Sequence, residues 1–511
     1  TITEETLLNK RQNNFIVSLS LPLKDAITAA YIDISTQEFF VESLPLNNMQ
    51  NIIDRLNPSE LLIPDMLLEN SVYPFLYQQY RAIVNPVPKA RFNTKTNTQK
   101  LCEQYNVKVL DAFDLSESAI QASGILIDYI ATTQKKALHY FPRPTLIHTD
   151  QFLHLDASTR RSLEIIRTQQ GATKGSLLSH IDMTKTAAGG RLLYQRLLHP
   201  LQNIKTLNQR YDQIDYFLSH SEIAESLETI LKAVPDLERC LGRLSLGRAF
   251  PRDLSAIREA LRQGYNLIAL LKNNAPFHTL PKIYAKLPGL KNILEDAIEE
   301  TLPVYIEDGY FIKAGYNAEL DKVRYTTQNT HQLMKGLETK YIQETQIQNL
   351  RIRYNKLIGY YIEVTPSHLS KVPNYFQQKQ KISTATRFTT DKLLMLESEI
   401  THASHTIVKL ETDLFNELCA KILESYYDLL ALSQEISVVD VALALAALSK
   451  KYNYVRPELI EDSCIFDIQK ARHPVVEATL KDPFYANDCH HHQDTSFLLL
   501  TGPNMAGKST Y

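Results

Sequence analysis

The sequence predicts a multidomain chain that combines α/β segments with a long all-α middle, and three patterns carry that prediction. Strand-like and helical runs alternate over the first ~130 residues, as in a small sheet with helices packed on it. Apolar residues then recur at three- and four-residue steps from about Pro142 to Leu320, helix after helix. Near the carboxyl end the pattern returns to α/β, with an apolar run that feeds a glycine loop. A chain of 511 residues holds roughly three to five domains of ordinary size. Hydrophobic residues at 44% and charged residues at 22% fit a globular mixture, and only 15 glycines exclude collagen-like or linker-like chains. Lys and Arg number 55 against 57 Asp and Glu, which excludes a uniformly basic coat for nucleic acid but leaves room for a locally basic face. No uninterrupted apolar run approaches the ~20 residues that span a bilayer, so no membrane partner is expected. The first residues are polar and lack a secretory core. Five cysteines without paired spacing fit a reducing cytoplasm. The chain starts at Thr1 and stops at Tyr511 inside a motif, so it reads as a piece of a longer polypeptide.

Each element follows from local pattern. Residues 29–34 and 38–44 are rich in β-branched and aromatic side chains around Ser-Thr-Gln, a hairpin signal. A helix is expected over Met49–Leu56 and a short strand over Glu60–Pro64. In the middle, Leu192, Leu193, Leu197 and Leu198, and again Leu237, Leu241 and Leu244, keep helical spacing, with Pro200, Pro235 and Pro251 as punctuation. Residues 316–345 read as a polar helix with a thin stripe of Leu320, Val323, Leu337 and Tyr341. Two strands follow at 350–354 and 359–365, with a turn between them. Leu393, Leu396, Ile400, Ala403, Ile407, Leu410 and Leu414 then repeat in steps of three and four, a coiled-coil seam that needs a long partner. The partner expected is the helix at 316–345. Two long helices with a small β module at their tip make an arm; the alternative is a bundle with an ordinary loop.

The strongest chemical signal is Gly502, Pro503, Asn504, Met505, Ala506, Gly507, Lys508, Ser509 and Thr510, which satisfies G-x-x-x-x-G-K-[ST] after the run Phe497-Leu-Leu-Leu-Thr501. Glycines let backbone N–H groups turn inward around a β-phosphate, at the positive end of the next helix. Lys508 then faces the β/γ-phosphates of ATP and the Ser509 hydroxyl a Mg²⁺ ion. Phe497–Thr501 is expected to be a buried strand. No helix follows Thr510 in this sequence and no second acidic motif is present, so the chain is expected not to hydrolyse ATP, although its parent does.

Charge singles out a second site. From Arg351 to Lys392 eight basic residues stand against Glu363 and Asp391, an excess of six in a chain of net charge −2. Arg351, Arg353, Lys356, Lys371, Lys379, Lys381 and Arg387 are the candidate phosphate contacts, with Tyr354, Tyr360, Tyr361, Tyr375 and Phe376 interleaved. Such a tip suits double-stranded DNA held by its backbone; the competing reading is a solvated face. Cys489-His-His-His492 invites a metal, but adjacent residues rarely supply a zinc site. Asp33 suggests a nuclease carboxylate, with no second carboxylate placed to share a metal with it.

Thr501-Gly-Pro-Asn-Met-Ala-Gly-Lys-Ser-Thr-Tyr511 resembles the phosphate loop of the MutS mismatch-repair ATPases. Further blocks are similar to that family in its order: Leu155-Asp-Ala-Ser-Thr-Arg-Arg-Ser-Leu-Glu-Ile165, Gly190-Arg191 through His199-Pro200, and Asp236-Leu-Glu-Arg239 through Pro251-Arg-Asp-Leu254. Gly315-Tyr-Asn-Ala-Glu-Leu-Asp321, Gly359-Tyr-Tyr-Ile-Glu363 and Arg472-His-Pro-Val-Val-Glu477 continue the match. The resemblance implies a ribonuclease-H-like connector at 1–130, a helical core and lever at 131–327 and a β-rich DNA clamp at 328–387. A returning lever and core at 388–453 and the start of an ABC-type ATPase domain at 454–511 complete it. It also implies that Phe484 stacks on adenine, that Asn504 sits near the γ-phosphate, and that the whole protein is a homodimer on mismatched DNA. ATP would convert it to a sliding clamp that recruits a MutL-type protein, in the cytoplasm at the nucleoid. The family reads mismatches with a Phe-x-Glu wedge. Phe40-Val-Glu42 has that spacing but sits in an expected connector strand, so it is read as a decoy. The alternative is a MutS-like protein without a mismatch reader, acting on branched or recombining DNA. A chromosome-organising coiled-coil ABC protein is disfavoured because its phosphate loop precedes its coil, and a small-molecule kinase because it has no use for a basic arm.

Overall fold

The computed structural model describes residues 8–69, 73–134, 141–271, 275–277, 279–355, 357–461, 465–491, 497–503, 507, 508 and 511. The chain divides into two compact units. One comprises Thr1–Ala249, Glu259–Pro288 and Ser425–Tyr511, the other Phe250–Arg258 and Gly289–Glu424. The divisions expected at 131 and 328 fall inside the helices Glu117–Gln134 and Ala318–Thr345.

The first unit opens with a six-stranded sheet of β1 (Ile16–Leu19), β2 (Ala26–Asp33), β3 (Glu38–Pro45), β4 (Glu60–Pro64), β5 (Val84–Val87) and β6 (Thr145–Ile147), ordered β5-β4-β1-β2-β3-β6. β2 and β3 form the expected antiparallel hairpin, with Asp33 opposite Glu38. β4 and the helix Met49–Leu56 also form where the sequence places them. Alternation along the strands feeds two cores. Ile16, Ala30, Ile32 and Val41 pack with Ala122, Leu126 and Ile130 of the helix Glu117–Gln134. Val17, Leu19, Ala29 and Tyr31 pack on the other face with Met49, Ile52, Ile53 and Leu56. Burying one such side chain stabilises by roughly 1.5–3 kcal/mol.

Helices complete this unit, and Tyr426–Tyr452 runs through their midst against Ala187–Leu198 and Ile204–Ser219. Its composition corrects the expectation about apolar runs: by length and hydropathy alone it is long and apolar enough to cross a membrane. Two thirds of that window is instead buried inside the protein. Asp440 shows why a charge belongs there. It accepts from the Lys185 and Thr186 amides at 2.9 and 2.8 Å and from Thr186 Oγ1 at 2.7 Å, while Thr186 caps the helix that starts at Ala187.

A second polar network lies under the hairpin turn. Arg191, almost fully buried, contacts both Asp236 and Glu238 at 2.7 Å, and Ser433 Oγ donates to Glu238. Burial works against the Arg191 charge, yet hydrogen bonds and charge from the two carboxylates raise its pKa. Glu38 lies nearby, accepting from Gln195 Nε2 and Thr36 Oγ1 at 3.1 Å. Burial first, then the neighbouring Glu238, push its carboxyl up to about 7.

In the second unit the helices Ala318–Thr345 and Asp391–Glu424 pack antiparallel, joined at one end by Tyr341 and Thr390 and at the other by Arg324 and Glu411. At 1.5 Å per residue they are ~42 and ~51 Å long. Leu393, Leu396, Ile400, Ile407 and Leu414 of the expected seam are buried, with Ala403 and Leu410 half-buried. The facing stripe is fuller than its apolar members suggest: Leu320, Val323, Thr327, Thr330, Met334, Leu337 and Tyr341 keep the same alternation of three and four. Thr327 and Thr330 enter the seam because their hydroxyls bond the carbonyls of Val323 and Thr326 at 2.9 and 3.0 Å. Glu411, with no exposed surface, accepts from Arg324 at 2.6 Å and from the Tyr310 amide at 2.7 Å, and so fixes this end of the pair.

Two outcomes follow for stability. Glu411→Ala removes the counter-charge of Arg324 and the acceptor of the Tyr310 and Ile312 amides, and should cost about 3–5 kcal/mol in a urea unfolding curve. Glu38 binds its proton more tightly folded than unfolded, so its contribution is complete below about pH 4.5 and is lost as pH rises through about 7. Unfolding followed from pH 5 to 8 should show that decline in the natural chain and a flatter profile in Glu38→Gln.

Candidate functional site

Four strands close the far end of the long helix pair: β7 (Arg351–Asn355), β8 (Gly359–Val364), β9 (Gln377–Lys381) and β10 (Thr386–Thr389), ordered β7-β8-β10-β9 and antiparallel throughout. One face is apolar and seals the helix ends. Ile362, Val364, Phe376 and Phe388 pack on Met334, Leu337, Tyr341, Leu393, Leu396 and Ile400. The expected strands at 350–354 and 359–365 match β7 and β8. β9, Gln-Gln-Lys-Gln-Lys, was not legible because every side chain in it is exposed and none supplies an apolar alternation.

The β7–β8 turn is held by a helix residue. Gly359 has φ +72°, and a Cβ there would stand 1.6 Å from Glu397 Oε1, which accepts from the Tyr360 amide at 3.1 Å. Only glycine fits that approach. At the turn Leu357 is 94% exposed and Tyr354 faces solvent beside Tyr360.

The candidate phosphate contacts separate into two groups. Arg353 and Arg387 converge on Glu363 at 3.4 and 3.6 Å, and Arg387 also donates to Gln380 and lies 4.6 Å over the Tyr361 ring. Arg351 pairs with Glu338 at 3.8 Å, and Lys379 with Glu397 at 3.4 Å and with two backbone carbonyls. Glu338 and Glu397 come from the long helices, outside the window whose charge excess is six, so that count overstates the unpaired charge. Lys371, Lys381 and Lys392 are exposed and make no ion pair among the described residues. Lys356 lies outside the described residues.

The glycine loop is described only in part. Gly502, Pro503, Gly507 and Lys508 are exposed, while Asn504, Met505, Ala506, Ser509 and Thr510 lie outside the described residues. Gly507 has φ +84° with open space where a Cβ would stand, and the Lys508 stem comes within 3.9 Å of the Cβ position of Gly502. A glycine that turns the backbone beside an exposed lysine is a donor set that fits phosphate. The buried strand expected at Phe497–Thr501 is not formed: Phe497 is 79% exposed and no strand is assigned. Such a strand needs ladder partners and covered faces. Among the described residues, β11 (Phe466–Ala471) and β12 (Asn487–His491) pair only with each other. Phe484 is half-buried between them in sequence.

Three other candidates resolve into structural roles. Cys489, His490 and His491 belong to β12, His490 pairs with Asp467 at 2.6 Å, and no cluster of three metal ligands forms among the described residues. His492 lies outside them. Asp33 accepts from the Asn14 and Ser35 amides at 2.9 and 2.8 Å, which builds the hairpin turn. A second carboxylate does stand near it, contrary to expectation: Asn13 Nδ2 reaches both Asp33 and Glu38. Phe40 packs on Tyr31 at 5.4 Å and the buried Glu42 is bound by Arg55, so Phe40-Val-Glu42 is part of the sheet.

Comparison with known proteins supplies the identity of this architecture. Residues 14–142 match the model of MutS domain II, and residues 158–446 that of MutS domain III. The whole chain aligns with the DNA mismatch repair protein MutS of Ruegeria pomeroyi at 36% identity and of Bartonella tribocorum at 35%, covering 60% and 58% of those proteins. The homologue from Rickettsia felis is 33% identical, with 59% covered. The chain thus spans about 60% of the length of the relatives it matches. With more than half its residues inside one domain model, and a sheet-tipped helix pair within that match, the chain belongs to the MutS family.

Proposed function

We propose that this chain is part of a mismatch sensor that grips duplex DNA with the β7–β10 sheet and couples that grip to ATP bound at the glycine loop. The observation that supports it most is the basic sheet seated at the end of two long antiparallel helices in a MutS-family chain. The residue groups at 1–130, 131–327, 328–387, 388–453 and 454–511 then serve as connector, core and lever, clamp, returning lever and start of the ATPase domain. In the clamp, Lys371 and Lys381 meet phosphates first. Arg353 and Arg387 share Glu363 and are available to a stronger anion, as are Arg351 and Lys379 at the cost of their own partners. Lys356 joins them in this reading.

At the loop, the backbone N–H groups between Gly502 and Gly507, Pro503 having none, surround the phosphates. Lys508 faces the β/γ-phosphates, Ser509 holds Mg²⁺, Thr510 follows, Asn504 lies near the γ-phosphate and Phe484 stacks on the base. Bound Mg²⁺ neutralises phosphate charge. The parent protein works as a homodimer, in the cytoplasm on nucleoid DNA, and passes its signal to a MutL-type partner. Coupling requires that DNA and nucleotide favour different states of one element, and the helix pair from Ala318 to Glu424 is that element in this reading.

Two measurements test the proposal. Binding of this chain to a duplex should weaken with salt at a slope of log K against log [salt] of about −3 to −4.5, for ~3–5 neutralised phosphates. Lys371→Glu with Lys381→Glu should flatten it by about 2. A salt-independent affinity would remove the sheet from the DNA contacts. The purified chain should show no steady ATP turnover in a phosphate-release assay, because a cradle without a positioned nucleophile does not catalyse; sustained hydrolysis would contradict that reading.

A further inference from the structure

The first unit contains a basic cleft that neither the DNA-gripping sheet nor the glycine loop uses. A cavity of about 190 Å³ is walled by Arg55, Arg196 and Arg210, by the aromatic rings of Tyr194 and Phe152, and by His199. No carboxylate lines it among the described residues. A second cavity of about 350 Å³ shares Arg55, Phe152 and His199 and adds Arg160, with Glu42 and Asp150 also on its wall.

Two of these four arginines have partners among the described residues and two do not. Arg55 is bound by Glu42, and Arg160 donates to the backbone carbonyls of Leu155 and Asn51. Neither Arg196 nor Arg210 makes an ion pair or hydrogen bond among the described residues. The Arg196 Nε and the His199 Nε2 are both buried without a partner among the described residues. Burial, with Arg210 adding like charge, pushes the Arg196 guanidinium down to about 9. Burial also pushes His199 down to about 3, so its ring is neutral and offers shape and one nitrogen rather than charge. Two part-buried guanidiniums side by side, with no acid to neutralise them, are costly unless an anion completes the set.

We infer that this cleft binds a small phosphate monoester, and specifically a nucleoside monophosphate. The guanidinium fork matches phosphate oxygens in pairs, which accounts for Arg196 and Arg210 facing one volume. Inorganic phosphate alone has no use for the rings: Phe152 and His199 lie with centroids 5.4 Å apart, and Tyr194 adds a third planar wall. Aromatic faces of this kind stack on bases of any sequence. The adjoining larger cavity leaves room for the sugar and base beside the phosphate.

The test is isothermal titration of the chain carrying Lys508→Ala, so that the glycine loop does not contribute. The titrants are AMP, CMP, adenosine and inorganic phosphate. Both nucleotides should bind one per chain, inorganic phosphate more weakly and adenosine not at all. Arg196→Gln and Arg210→Gln should each weaken nucleotide binding about tenfold or more. Neither substitution should lower the unfolding temperature, because each removes an unneutralised cation; a fall in both would mark the arginines as structural and overturn the site. Inorganic phosphate binding as tightly as AMP would overturn the nucleotide assignment. Absence of binding by both anions, or binding untouched by both substitutions, would overturn the cleft itself.

Discussion

The second unit depends on one constraint: two helices must keep their seams in register over six steps of three and four residues each. Helix-period side chains from Leu320 to Tyr341 face those from Leu393 to Leu414, and the antiparallel order follows from which ends meet. Everything distal to that seam is placed by it. The apolar face of the β7–β10 sheet packs on Met334, Leu337, Tyr341 and the first turns of the returning helix, with Ile347 and Leu350 in the same core. A slip of one heptad would separate Glu411 from Arg324 and strip the sheet of its support together. The threonines show how the seam tolerates polarity: a hydroxyl that bonds its own helix presents a methyl group to the neighbour.

One buried carboxylate in each unit, Asp440 and Glu411, gathers backbone amides at the start of a helix or a loop. Asp440 gathers two amides and a hydroxyl at the start of the helix Ala187–Leu198. Glu411 gathers loop amides beside its arginine. A carboxylate so used fixes where a loop meets a helix, since displacement would leave several groups unsatisfied at once. Gly189 reflects the closeness of the approach, because a Cβ there would stand 2.2 Å from Asp440.

Much of this architecture was legible because period and breaker agree locally. The hairpin around Ser-Thr-Gln, the helix Met49–Leu56, the strand Glu60–Pro64 and the seam at 393–414 all carry their own pattern. Features set by distant partners were not. The Glu38 environment depends on Glu238 and Gln195, roughly 160 to 200 residues away, and the pairing of Lys379 depends on Glu397 across a helix boundary. The first strand, Ile16–Leu19, passed unread although it sits at the centre of the sheet, because four buried residues without alternation give no periodic signal. The strand expected before the glycine loop failed for the opposite reason: its composition is right, but no neighbour pairs with it among the described residues. The glycine loop was therefore legible as a sequence motif, while its geometry depends on surroundings that local pattern does not supply.

The glycine at the tip turn has a mechanical consequence. With Glu397 lodged where any side chain at position 359 would go, and its other oxygen on Lys379, the hairpin cannot swing without turning the returning helix. A torque applied at Leu357 is therefore delivered to the shaft within a single contact, so the tip behaves as a crank handle rather than as a tassel.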